Sequence, residues 1–122
     1  MKITLWGTRG SLPSPGPETQ IYGGNTSCVT VESMDALIVL DAGSGIRRLG
    51  NDPLVKKYKV IHILLTHLHM DHILGLGFFG PLYNPTQEVH IWGPASFNSS
   101  LIEFFFKIHK VLSIQKTGHF HF

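Results

Sequence analysis

The segment Val60 to Leu65 is nearly continuous in apolar residues, interrupted only by His62, and runs directly into Thr66-His67-Leu68-His69-Met70-Asp71-His72. Such a short apolar run predicts a strand buried on both faces. Alternate residues of an extended segment point to one side, so His67 and His69 project together from the tip of that strand. Asp71 and His72 follow where the chain must already bend, and they present a carboxylate and an imidazole toward a neighbouring position. The fold must therefore keep a buried strand and a cluster of ionisable side chains in immediate succession.

Three histidines and one aspartate within six residues are either surface and core side chains at a strand end or ligands for divalent metal. Packing does not favour the first, because burying such groups unpaired carries a heavy desolvation cost. Imidazole and carboxylate bind zinc at about 2.0–2.2 Å. They also suit manganese and iron, so ligand type leaves Zn2+, Mn2+ and Fe2+ open. One ion or two are compatible with the run, and two about 3.5–4 Å apart can clamp both oxygens of a displacement reaction.

Composition narrows what else the chain can be. Its 122 residues suit one domain or part of one. Charged residues make up 15%, below the usual quarter, so much of the chain should be buried. The formal net charge is +2, and Arg47-Arg48 and Lys56-Lys57 are the only adjacent basic pairs. That argues against a nucleic-acid or membrane partner. A lone cysteine, Cys28, excludes an internal disulfide. No run approaches the ~20 apolar residues needed to span a bilayer, and Met1 to Gly10 lacks the apolar core of a signal peptide. Cytoplasmic is the default expectation.

Along the chain, Lys2 to Trp6 reads as a first strand. Gly7 to Gly24 is a long Gly- and Pro-rich loop of the kind that often carries function. Cys28 to Glu32 and Ala36 to Leu40 read as strands joined by a hairpin at Met34-Asp35. Asp41 to Gly45 is a turn, Ile46 to Leu49 a short helix, and Gly50 to Pro53 its stop. Gly75 to Pro81 is a glycine-punctuated apolar segment, with Gly75 and Gly77 allowing close backbone approach. Glu88 to Trp92 is a further strand. Ser96 is an N-cap candidate for a helix over roughly Asn98 to Val111. The residues from Leu112 onward show no period.

Several single residues carry two readings. Arg9 could meet a substrate phosphate from its loop, since a guanidinium fork matches phosphate oxygens, or it is a solvated loop arginine. Asn25 could orient that loop or serve as a turn former. His62 and His90 read as satisfied structural histidines within strands, Cys28 as a small buried hydrophobe, and Trp6 and Trp92 as core.

Thr66 to His72 matches the His-x-His-x-Asp-His signature of the metallo-β-lactamase superfamily, which this chain resembles. Leu40-Asp41-Ala42-Gly43-Ser44-Gly45 is similar to the family's aspartate–glycine turn. His67 to Tyr83 resembles the ribonuclease Z and phosphodiesterase-like branch, where the signature runs into a Gly-Leu-x-Phe-Phe stretch. Gly7-Thr8-Arg9-Gly10-Ser11 and Tyr22 to Cys28 look like that branch's opening segments. The resemblance covers about residues 1–95 and leaves 96–122 as an atypical tail on a single partial domain, 1–122. It implies an α/β (α+β) fold, the N-terminal half of an αββα sandwich, mostly one mixed β-sheet with few helices.

By that resemblance His67 and His69 bind a first metal, and Asp71 and His72 a second, with zinc the expected ion. Asp71 is then also the catalytic residue, orienting the attacking water. Asp41 stands behind the histidine loop and braces it, because ligating histidines usually donate their other N–H to a carboxylate or carbonyl. The plainer role for Asp41 is that of a turn residue.

The family's second half supplies a third histidine, a bridging aspartate and a last histidine. No aspartate follows Asp71 in this chain. His109, His119 and His121 remain, but a His-x-His pair in an unpatterned tail reads as frayed chain. A truncated half is therefore the expectation. Phe104-Phe105-Phe106 cannot all face inward on one helix, and an exposed apolar row makes self-association a candidate.

Three functions fit. The first is a metal-dependent, binuclear zinc hydrolase of a phosphodiester or related ester, with a small-molecule or nucleotide substrate. The second is a catalytically silent metal-binding fragment, favoured by the missing bridging aspartate. The third is a tRNA 3′-processing endoribonuclease, which needs a basic surface or arm for RNA that the charge pattern does not show.

Overall fold

In the computed structural model, which describes residues 1–93, the β-branched and leucine-rich segments pair in chain order into one five-stranded sheet. Its strands are β1 (Lys2–Gly7), β2 (Cys28–Glu32), β3 (Leu37–Leu40), β4 (Val60–Leu64) and β5 (Glu88–Trp92). The β1–β2 and β2–β3 pairs are antiparallel, while β3–β4 and β4–β5 are parallel. The β2–β3 hairpin turns at Met34-Asp35, where Ser33 N–H donates to Ala36 O at 3.2 Å.

Parallel neighbours need a crossover. Between β3 and β4 it carries α1 (Gly45–Gly50) and a 3₁₀ turn, Pro53–Lys57. Asp52 starts that turn by accepting from Leu54 N–H at 2.9 Å, with proline at the position where a missing N–H costs nothing. Between β4 and β5 lie α2 (Met70–Ile73) and two 3₁₀ turns, Leu76–Phe78 and Gly80–Tyr83. The expected mixed sheet with few helices is thus present. Boundaries differ by a residue: β1 reaches Gly7, β3 begins at Leu37 rather than Ala36, and α1 gains a residue at each end. No helix among the described residues is long and apolar enough to cross a membrane.

All the crossovers bury their apolar residues on one side of the sheet. Ile46 and Leu49 of α1, Ile73 of α2, Leu76 and Phe79 pack with Leu37, Val39, Ile61 and Ile63. Cys28 joins this core, and burial followed by the Asp41 charge pushes its thiol up to about 12.

The other side corrects two expectations. Among the described residues β4 is buried on one face only: Ile61 and Ile63 are covered, while Leu64 is 39% exposed. Register aligns Leu64 with Leu40 and Trp92, and His62 with Ile38 and His90, on this second face. At its β1 edge Ile3 is 59% and Leu5 63% exposed. The physical reason is that every described crossover lies against the opposite side. Trp92, expected in the core, faces this side too, and its Nε1–H donates to His62 Nδ1 at 3.2 Å. Trp6 does pack against the core and donates to Thr30 Oγ1 at 3.0 Å.

His62 and His90 stack with ring centroids 5.0 Å apart, and His90 Nε2 meets Glu88 Oε1 at 2.9 Å. Both are satisfied strand histidines. The expected helix after Ser96, the aromatic row at 104–106, and His109, His119 and His121 lie outside the described residues.

Burial lowers the His62 pKa below its ordinary 6.5; His90 lowers it further, and Glu88 opposes both. The folded chain therefore binds fewer protons at this site than the unfolded chain. The stability this group contributes is present above pH 6.5 and is lost as pH falls through the lowered value. Urea midpoints measured from about pH 8 down to about pH 5 should fall more steeply for the wild type than for His62→Phe. Equal pH dependence would exclude His62 as a titrating group.

Candidate metal centre

β3 and β4 end side by side, Leu40 opposite Leu64, and both leave the sheet at their C-terminal ends into the turns that carry the candidate ligands. Open α/β sheets place ligands at this edge. Asp41 has φ 60°, in the left-handed region that aspartate tolerates better than most residues. Its N–H donates to Leu64 O at 3.0 Å. The carboxylate, in a residue only 4% exposed, turns back over the end of β4. Oδ1 accepts from Thr66 N–H at 2.8 Å, and Thr66 Oγ1 lies 2.9 Å from Oδ1 and 3.0 Å from Oδ2. Ser27 Oγ donates to Oδ2 at 3.3 Å.

Backbone bonds lock the same turn to α2. Ala42 N–H donates to His72 O at 2.7 Å, Gly75 N–H to Ala42 O at 2.9 Å, and Gly43 N–H to Ser27 O at 2.8 Å. The Asp41 turn and the histidine run therefore form one rigid unit.

Within that unit the four candidate ligands form two facing pairs. His67 Nε2 stands 3.1 Å from His69 Nδ1, with the rings edge to face. Asp71 Oδ2 stands 3.4 Å from His72 Nε2. The two pairs are neighbours, since the His67 and His72 ring centroids are 4.0 Å apart. The remaining nitrogens of these two histidines face inward. His67 Nδ1 is 3.0 Å from Thr66 Oγ1. His72 Nδ1 is 2.8 Å from Asp41 Oδ2, close enough for an ion pair but without hydrogen-bond alignment. Among the described residues no group of three or more His, Cys, Asp or Glu side chains is arranged to hold a metal ion by itself.

Asp71 is held from a second direction. Burial opposes its charge. The Ser11 N–H at 3.1 Å, its own backbone N–H, His72 and His69 outweigh burial and keep the carboxyl below its ordinary 3.8. Ser11 has φ 68°, another left-handed non-glycine residue, and such strain clusters at functional positions.

The Gly- and Pro-rich loop thus reaches the cluster through Ser11. Arg9 is exposed and its Nε donates to Leu12 O at 2.9 Å, inside its own loop. Asn25 Oδ1 accepts from Ser44 Oγ at 3.0 Å and its carbonyl accepts from Thr8 and Arg9, so it ties the loop to the start of α1. Motif spacing did not single out Ser11, Ser27 or Thr66. Ser11 acts through its backbone, which leaves no side-chain signal. Thr66 did leave one, a hydroxyl directly before the first candidate ligand.

Gly75, just beyond α2, packs tightly against the Asp41 turn. A Cβ there would collide with Gly43 O and stand 2.6 Å from Ile46 Cγ2, whereas one on Gly10 would meet nothing within 4 Å. Gly75→Ala should cost about 1–3 kcal/mol through overpacking, and Gly10→Ala less than about 0.5 kcal/mol, in urea unfolding. Similar costs at both positions would show that the unit does not depend on this close approach.

Comparison with known proteins accords with this geometry. Ribonuclease Z of Staphylococcus aureus strain JH9 is 33% identical over 76 residues, covering 62% of this chain and 24% of that protein. Ribonuclease Z of Staphylococcus carnosus strain TM300 is 34% identical over the same length. The chain thus spans about a quarter of these curated relatives. The crystal structure of human tRNase Z, short form, aligns with a TM-score of 0.66 over 92% of this chain and 42% of that one, and at 24% identity it shows the fold alone. A diphosphatase from the PhnP family aligns with a TM-score of 0.62 at 25% identity, over 87% of this chain and 46% of the other. Residues 21–95, which include Asp41 and the whole histidine run, match the Metallo-beta-lactamase superfamily, and the chain belongs to that family.

Proposed function

We infer that this chain is the metal-binding half of a binuclear, metal-dependent hydrolase, with Zn2+ the expected ion and a phosphodiester or related ester the expected substrate class. The spacing of the donor pairs carries the inference. Two ligands each about 2.0–2.1 Å from a tetrahedral zinc stand roughly 3.3–3.4 Å apart. The His67–His69 and Asp71–His72 donor atoms are 3.1 and 3.4 Å apart. In His67 and His72 the nitrogen turned away from the pair faces Thr66 or Asp41, the usual arrangement behind a ligating histidine. His67 and His69 would hold one ion, and Asp71 and His72 the other.

When bound, such ions supply Lewis acidity toward an ester oxygen and bring the pKa of water toward neutrality. The chain's own residues prepare the place. Thr66 Oγ1 lies against His67 Nδ1, Asp41 lies beside His72 Nδ1, and Ser11 N–H holds Asp71. Asp71 has its pKa lowered, so it is ionised and can accept a cation without first losing a proton. Each pair provides two donors, and a zinc site usually takes four. The other positions fall to water, substrate or groups beyond these four side chains.

Two observations favour alternatives. Among the described residues no group of three or more candidate ligands could hold a metal ion by itself, which favours a metal-binding portion that is silent alone. The relatives named ribonuclease Z favour tRNA 3′ processing as the substrate alternative, and RNA affinity that falls steeply with salt would support it.

Zinc and manganese titrations of the full chain should show two equivalents bound, with cleavage of a generic aryl phosphodiester. The variant His67→Ala/His69→Ala should lose at least one equivalent. Uptake no greater than that of the double variant would contradict metal binding at this cluster. One weak equivalent without turnover would favour the silent portion over the hydrolase.

A further inference from the structure

We propose that Thr66 is a positioning residue whose hydroxyl fixes His67 as the Nδ1–H tautomer, so that the Nε2 lone pair points at His69 Nδ1 and toward a bound cation. The proposal deepens the metal-binding inference, but its first test needs no metal.

The proton inventory allows only one arrangement. Thr66 Oγ1 lies 2.9 and 3.0 Å from the two Asp41 oxygens and 3.0 Å from His67 Nδ1. A hydroxyl has one proton to donate and lone pairs to accept with, and a carboxylate only accepts. The hydroxyl proton therefore goes to Asp41, and the oxygen presents a lone pair to His67. For that contact to be a hydrogen bond, His67 Nδ1 must carry the ring proton. A neutral imidazole has a single N–H, so His67 Nε2 is left bare.

The next contact agrees in direction. His67 Nε2 faces His69 Nδ1 at 3.1 Å, and with Nε2 bare only His69 can donate across it. The chain of donors then runs one way: His69 Nδ1–H to His67, His67 Nδ1–H to Thr66, and Thr66 Oγ1–H to Asp41. Such chains polarise each member in the same sense. For a cation binding between the rings, His67 Nε2 is already bare, and His69 presents its Nδ1 lone pair once its single ring proton shifts through solvent to its own Nε2. Asp41 keeps its bonds from Thr66 N–H and Ser27 Oγ if the hydroxyl is lost. Removing the hydroxyl therefore tests the tautomer without stripping the carboxylate. Thr66 is also exposed, so Thr66→Val leaves no buried cavity.

Long-range 1H–15N NMR of the metal-free, labelled full chain at about pH 8, where imidazoles are neutral, reads the tautomer directly. Wild type and Thr66→Ser should show His67 as Nδ1–H. Thr66→Val should lose that preference and bind zinc about 10–100-fold more weakly. His67 found as Nε2–H in the wild type overturns the proposal even if no variant folds. So does a Thr66→Val chain that keeps both the tautomer and the zinc affinity. A wild type with the expected tautomer and no zinc uptake would support the positioning role and sink the metal-binding function.

Discussion

Asp41 stands at the end of β3 with its backbone in the left-handed region, and its buried carboxylate accepts from Thr66 N–H, Thr66 Oγ1 and Ser27 Oγ. A carboxylate taken out of water needs such charge-assisted bonds to be tolerated. Here they also fix where the chain goes after β4. Thr66 is bound at both its N–H and its hydroxyl, so the next residue leaves the strand in one direction, with its ring against that hydroxyl. The same carboxylate lies beside His72 Nδ1. One side chain thus stands behind a histidine of each pair, beside His72 directly and behind His67 through Thr66. The arrangement depends on β3 and β4 lying parallel with Leu40 opposite Leu64. A one-residue slip would turn the core residues of β4 to the other face and move Thr66 away from Asp41.

The donor pairs and the sheet share an asymmetry. One side of the sheet is covered by α1, α2 and the 3₁₀ turns, while the other presents Ile3, Leu5 and Leu64 to solvent among the described residues. Each candidate pair would likewise offer two donors on one side of an ion. The solved relatives extend well past the aligned region, which makes up 42% and 46% of their chains. The sequence relatives of this chain are matched over only 24% of their length. The described residues contain the cluster, its brace and one complete packing layer.

Much of this was legible because it depends on local periodicity. The alternation of an extended chain brought His67 and His69 together, and the turn residues Met34-Asp35 located the hairpin. Gly75, after the histidine run, marked a close approach, seen where it meets Gly43. Other features were hidden for identifiable reasons. An apolar run such as Val60 to Leu65 looks the same whether one face is covered or two, so the open side of β4 and the outward Trp92 were not visible. Ser11 contributes a backbone N–H in a left-handed conformation, which no side-chain pattern encodes. The Thr66 bridge depends on the dihedral angles of Asp41, 25 residues away in the chain.

Zinc-edge anomalous diffraction from crystals of the full chain grown with zinc tests the two-pair centre most directly. The predicted result is one peak at about 2.0–2.2 Å from both His67 Nε2 and His69 Nδ1, and a second at similar distances from Asp71 Oδ2 and His72 Nε2. Peaks confined to other side chains, with the His67 and His69 nitrogens bare, would contradict it.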